Sequence, residues 1–419
     1  MKRLFFQLIL FLLPLTILSQ TLTLDSCQTK ARRNYPLVQQ FGLIEKTTAY
    51  NLENASMAYL PQLNLSAKAS YQSEVTTLPI TIPGVSIPTL PKDQYQATLE
   101  VSQLIWDGGV ISAQKKSIKA GAEADKQKLE VDLYALRDRI NQLYFGILLI
   151  DGQLEQVKIL DAELKNNFDK VNAMVKNGIA TTSDLDAVKV EQLNNKQRQT
   201  ELIATKKSFI QMLSAFTGME ITDHIKFDKP IMGTVNYQPD VKRPELIMLD
   251  AQSSVLESQK KLIYAGNLPK VGAFIQGGYG RPGLNMLSTE FSPFYIGGIK
   301  FSWNISGYYT QKNNIQKIET GIKNIEVQKE TFLFNNSLLT KQQLNEIEKL
   351  KTTLANDDEI ILLKNNIKKS TESKLQNGTA TTIDLMRDIN SENIARQSRL
   401  LHEIQLYSTY YQYLSNTNN

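Results

Sequence analysis

The chain is poor in the residues that do most enzymatic work. Its 419 residues hold two histidines, His224 and His402, and one cysteine, Cys27. A single cysteine excludes an internal disulfide, and neither histidine sits in an HExxH or other ligand spacing. No GxSxG, P-loop or GxGxxG lies between a strand and a helix. The "GGYG" run at 277–280 falls inside an alternating stretch, where small residues ease packing. The sequence therefore calls for no cofactor, no metal and no catalytic residues. Net charge is +5 and dispersed, which gives nucleic acid no basic face to bind. A further absence is proline, which is missing from Gly108 to Asn177.

One long apolar run exists, from Leu4 to Leu18, after Lys2 and Arg3 and before Ser19. That layout is a secretory signal peptide over residues 1–19, too short to span a bilayer as a helix. "LDSC" is a poor lipoprotein signal, since Asp25 fits badly and Cys27 lies well beyond the apolar run; a helical cysteine is the better reading.

Much of the rest is written twice. "NGIATTSDL" from Asn177 and "NGTATTIDL" from Asn377 agree at seven of nine positions. Trp106 of "LIWDGGV" has a counterpart in Trp303 of "FSWNISGYY", and Leu60-Pro61 is echoed by Leu268-Pro269. Order and offset are shared, so we read an internal two-fold repeat, 20–230 and 231–419. Each half opens with a helix-like segment (23–58 and about 242–266) and then alternates. Leu63, Leu65, Ala67, Ala69 and Tyr71 fall on one side, Gln62, Asn64, Ser66, Lys68 and Ser70 on the other. A two-residue period of this kind is a strand. Alternation returns around Tyr95–Ser102, at about 270–280 and at 294–305, with a four-proline loop at 78–92.

Beyond each second strand runs a long helical stretch. Leu129, Leu133, Leu136, Ile140, Leu143, Ile147, Ile150, Leu154 and Val157 keep an unbroken 4-3 spacing, the seam of a coiled coil. At 1.5 Å per residue such a helix reaches roughly 100 Å. A second, looser run covers Gly307 to Asn377.

Each strand has about the ten residues that cross a bilayer in a tilted barrel, apolar on one face and wettable on the other. Four strands cannot close a barrel, and open edges are not tolerated in lipid. A dimer would give eight strands around a filled lumen, a trimer twelve around a channel. The polar faces favour the trimer. The fold class is thus α+β membrane protein, with long coiled-coil helical hairpins and four transmembrane strands per chain. The competing readings are an exported coiled-coil or adhesin-type structural protein, which has no need of lipid-facing strands, and an exported enzyme.

These residues resemble the TolC-like outer-membrane efflux proteins over essentially the whole mature chain. The resemblance rests on Leu22, Thr23, Leu24, Ala31, Asn34 and Pro36 at the start, on "WDGG" at 106–109, and on the twin "NG.ATT.DL" turns. Tyr35 interrupts the usual asparagine doublet, and "WNISG" departs from the junction motif. The resemblance implies a homotrimer in the outer membrane of a Gram-negative bacterium. It implies a twelve-stranded barrel and an α-barrel tunnel in the periplasm, docked to a periplasmic adaptor and an inner-membrane pump of RND, ABC or MFS type. Such a duct serves efflux or type I secretion without an enzymatic step.

Within the twin turns, Gly178 and Gly378 are the left-handed stops expected after a helix. Thr181 and Thr381 cap the next helices, with Asp184 and Asp384 at the third position. Thr182 and Thr382 open those helices. The resemblance places both turns at the tunnel's periplasmic mouth, where they would gate it and dock the adaptor, with Asp384 in a narrowing ring. Arg387 stands where relatives carry a second acid, which makes that ring mixed in charge. Trp106 and Trp303 read as membrane-interface aromatics.

Overall fold

A computed structural model describes residues 21–76, 90–223, 225–237 and 239–417. The expected signal peptide, His224 and most of the proline-rich loop fall outside these. Among the described residues no helix is long and apolar enough to cross a membrane, and no cluster of metal-ligating side chains occurs.

The chain forms two compact units that interleave in sequence. One comprises Met1–Val38, Glu130–Pro244 and Thr331–Asn419, the other Gln39–Leu129 and Glu245–Glu330. Element order is α1 (Leu24–Asn34), α2 (Gln40–Met57), β1 (Gln62–Tyr71), β2 (Asp93–Trp106), α3 (Val110–Tyr134), α4 (Leu136–Lys176) and α5 (Thr182–Thr217), followed by α6 (Pro244–Gly266), β3 (Lys270–Arg281), β4 (Ser292–Ser302), α7 (Gly307–Gln376) and α8 (Thr382–Thr417).

The first segment is two helices rather than one. Pro36 lacks an amide hydrogen and restrains the residue before it, so α1 ends at Asn34 and a short 3-10 turn, Pro36–Gln39, leads into α2. The long stretch after "WDGG" is likewise interrupted, at Ala135 alone, and Ala135 keeps helical torsions. Its neighbour Tyr134 is buried and donates to the Ser415 carbonyl at 2.5 Å.

The unit holding the sheet is a four-stranded antiparallel meander in the order β1-β2-β3-β4. The pairing is in phase across all strands. Leu65 faces Leu99, Leu99 faces Gly277, and Gly277 faces Tyr295. One face is therefore apolar and open between Gln103 at one end and the Asp93–Arg281 pair at the other, with Leu65 77 % and Ile299 76 % exposed. The step from β2 into α3 is built by "WDGG". The Asp107 carboxylate is buried and accepts from the Gly109 and Ile111 amides at 2.9 and 2.6 Å. Gly108 turns at φ +70, where an added Cβ would press on Leu268 Cβ at 2.7 Å.

The helical unit is organised by the heptad seam. Every seam residue from Leu129 to Val157 except Leu154 is buried, each contributing about 1.5–3 kcal/mol from its removal from water. The largest core gathers Leu136, Ile140, Tyr144 and Ile147 with Leu24 and Cys27 of α1 and Leu213 of α5. The Tyr144 hydroxyl is 2.7 Å from both the Leu22 and Asp228 carbonyls, beside a bridge pairing Leu22 with Phe227. Cys27 is fully buried there, and burial pushes its thiol up to about 12. The sequence pattern held no sign of the irregular segment 225–237 between α5 and α6. It is strapped to α8 by three tyrosines: Tyr410 accepts from the Gly233 amide, while Tyr411 and Tyr413 donate to the Ile231 and Asn236 carbonyls.

Candidate functional site

Both "NG.ATT.DL" turns lie in the helical unit and share one small core. Val171 and Val188 from the first hairpin pack with Leu375, Leu385, Met386 and Ile389 from the second. The two tips are therefore neighbours, and their geometry is nearly identical. Gly178 has φ +73 and Gly378 φ +72. The Gly178 and Ile179 amides donate back to the Val175 and Met174 carbonyls, and the Gly378 and Thr379 amides to Leu375 and Lys374. This paired closure is a Schellman motif, which satisfies the last carbonyls of the incoming helix.

The outgoing helices start with reciprocal caps. Thr181 Oγ1 accepts from the Asp184 amide at 3.3 Å, and Asp184 Oδ2 accepts from the Thr181 amide at 2.9 Å and its hydroxyl at 2.6 Å. Thr381 and Asp384 repeat this at 3.1, 3.1 and 2.8 Å. The threonine hydroxyl, then its backbone amide, hold each carboxyl below its ordinary value.

The copies differ in three ways. Thr182 is exposed, whereas Thr382 is 2 % exposed and lies near enough to Asp184 of the other tip to help hold its carboxyl down. Arg387 reaches Asp384 at 3.5 Å and Asp388 at 3.4 Å, with no basic counterpart in the first copy. Asp388 is itself buried and accepts from Thr371 at 2.7 Å. Two apolar side chains point outward at the tips, Ile179 at 68 % and Ile383 at 64 % exposed.

Further along the same bundle is a charge network, centred on the buried Glu392, that the sequence reading missed. Lys368 of α7 binds Glu163 of α4 at 2.7 Å and Glu392 of α8 at 2.5 Å, and Arg396 binds Glu392 at 2.6 Å. These groups line a cavity of about 170 Å³ together with Asn365 and Asn393. A signal was present: Asp384, Asp388, Glu392 and Arg396 recur every fourth residue, which sets them on one helical stripe.

At the sheet, Trp106 ends β2 and is 46 % exposed. Trp303 follows β4, is 48 % exposed, and donates from its indole to the Asn267 carbonyl at 3.0 Å. Both sit at the same end of the meander, since Trp106 pairs with Val271 and Val271 with Phe301. At the other end Tyr95, Tyr279 and Phe291 cluster around Arg281, which is ion-paired with Asp93. The open apolar face is thus bordered by aromatics at both ends.

Residues 29–218 match the family model for outer membrane efflux proteins. No curated protein matches the sequence. Among solved structures the fold is similar to the outer membrane protein VceC of Vibrio cholerae, with TM-score 0.68, 13% identity, and coverage of 94% of this chain and 96% of that one. It is similar also to the CmeC outer membrane channel of Campylobacter jejuni (TM-score 0.65, 12% identity, coverage 94% and 85%). The open state of the Neisseria gonorrhoeae MtrE channel aligns at TM-score 0.65, 13% identity, with coverage of 94% and 89%.

Proposed function

From the match of residues 29–218 to the outer membrane efflux protein model and the channel-like fold, we propose that the chain is a TolC-like outer-membrane efflux protein, three copies of which close a twelve-stranded barrel in the outer membrane and extend as a helical tunnel into the periplasm. The product is a passive exit duct for efflux or type I secretion, coupled to a periplasmic adaptor and an inner-membrane pump. One observation carries this reading. The four-stranded meander leaves β1 and β4 unpaired at its edges while exposing an apolar face bordered by aromatics. Lipid accepts that face, and only pairing with further strands satisfies those edges. Three copies of four strands give a lumen wide enough for a channel.

The helix-strand-strand-helix order recurs from α2 to α5 and from α6 to α8, which supports reading the chain as an internal duplication. In this duct the twin tips form the periplasmic mouth. Their backbone is fixed by capping, Ile179 and Ile383 offer the adaptor an apolar contact, and Asp384 with Arg387 sets the charge there.

Reconstitution of the purified chain in planar lipid bilayers tests the duct: discrete single-channel steps are expected. Deleting the gene should raise susceptibility to a broad compound panel or abolish export of a secreted protein. Absence of channel steps, with neither phenotype, would overturn the reading.

A further inference from the structure

The face of the sheet opposite the lipid side is not uniform. On β1, and on β2 as far as Ser102, it is polar, from Gln62, Asn64 and Ser66 to Thr98, Glu100 and Ser102, with Leu104 beyond. On β3 and β4 the same face carries Phe274, Phe294 and Ile296. Each phenylalanine is opposite a glycine, Phe274 facing Gly298 and Phe294 facing Gly278. The rings lie down across these glycines. A Cβ on Gly278 would meet the Phe294 ring at 2.3 Å, and one on Gly298 would meet Phe274 at 3.3 Å. Between the rows of the two rings comes the row of Asn64, Glu100, Gln276 and Ile296. Among the described residues the Glu100 carboxylate has no hydrogen-bond or ion-pair partner. Lys300 and Lys68 lie in the rows beyond the rings, so Glu100 is the charge nearest the middle of the patch.

Flat aromatic surface beside an unpaired carboxylate matches one ligand chemistry, an organic cation with an aromatic or apolar body. We propose that Phe274, Phe294 and Glu100 form a binding surface on the pore wall for such cations, a relay point in their passage outward. This rests on the reading of the polar sheet face as the lumen of a duct. It accounts for apolar rings on a water-facing surface, where leaving them wet costs about 25 cal/mol per Å².

Current block in planar bilayers by tetraphenylphosphonium tests the surface, with tetraethylammonium as the non-aromatic cation and tetraphenylborate as the anion. Tetraphenylphosphonium should block at lower concentration than either. Phe294→Ser should raise its half-blocking concentration about two- to five-fold, the ratio equivalent to one exposed cation–π contact, and Glu100→Gln by about two- to five-fold, the ratio equivalent to one exposed ion pair. Tyr295→Ser, on the lipid face, should leave block unchanged. Open-channel conductance in potassium chloride reports whether a variant has assembled, and Phe294→Leu substitutes if the serine variant does not. Normal conductance with unaltered block in both variants overturns this inference alone. No channel current from the parent protein overturns the duct, and this inference with it.

Discussion

Lys368 and Glu392 lie 2.5 Å apart, joining α7 to α8 through a carboxylate whose side chain is only 4 % exposed. Burial by itself would raise the Glu392 carboxyl. Hydrogen bonds from Lys368 and Arg396 more than offset it and hold the group below its ordinary value. Glu392→Gln should destabilise the helical unit by roughly 2–4 kcal/mol, less than the loss of a fully buried pair because Arg396 is 40 % exposed. Thermal unfolding followed by helical circular dichroism measures this. An unchanged midpoint would show that the network is dispensable.

The same network fixes a pH dependence. A depressed carboxylate stabilises the fold above its unfolded value and loses that contribution as pH falls through the folded one. Lys368 is raised: burial lowers it, and its hydrogen bonds to Glu163 and Glu392 outweigh that. Its contribution is present below 10.5 and lost as pH rises beyond its folded value. Helical stability should therefore hold between these limits, falling at acid pH below 4.5 and again in strong alkali. In Glu392→Gln both limbs should flatten.

At the tips, Thr181→Ala removes a capping hydroxyl and should cost about 1 kcal/mol. Gly378→Ala places a Cβ at φ +72 with nothing within 4 Å to clash against, so its cost of about 1 kcal/mol is purely torsional. Hydrogen exchange of the tip amides should quicken in both variants while the amides around Ile140 stay protected. Quickening throughout the bundle would mean the tips support the whole unit.

Opposite effects on ion selectivity are expected from Asp384→Ala and Arg387→Ala. Removing the acid should lower the ratio of cation to anion permeability, and removing the base should raise it. Reversal potentials under a salt gradient report the ratio. If neither substitution shifts it, the tips are not at the pore mouth.

On the sheet, Leu65→Arg should block assembly in lipid, at roughly 2–4 kcal/mol for a charge at mid-bilayer. Asn64→Arg, one residue away on the other face, should be tolerated. Folding yield into vesicles compares the two, and equal yields would exchange or abolish the assigned faces.

Where one period governs many residues, the sequence was legible. The strands declare themselves by alternation, and the seam from Leu129 to Val157 by its 4-3 spacing. Capping at Thr181 and Thr381 was equally local, since Gly, Thr and Asp act within one turn. What escaped depends on contacts between segments distant in sequence. Lys368 meets Glu163 across about two hundred residues, and the strap at 225–237 is held by tyrosines of α8 rather than by its own pattern. The burial of Thr382 against an exposed Thr182 arises because the two tips pack asymmetrically, which nearly identical local sequences cannot encode. Phe274 and Phe294 interrupt the polar face because Gly298 and Gly278 lie opposite, a relation set by register.

The central claim is that strands of three chains close one barrel. Native mass spectrometry of the detergent-purified protein counts the chains directly. Three chains per particle is the predicted result, and a particle of one or two chains would contradict the account.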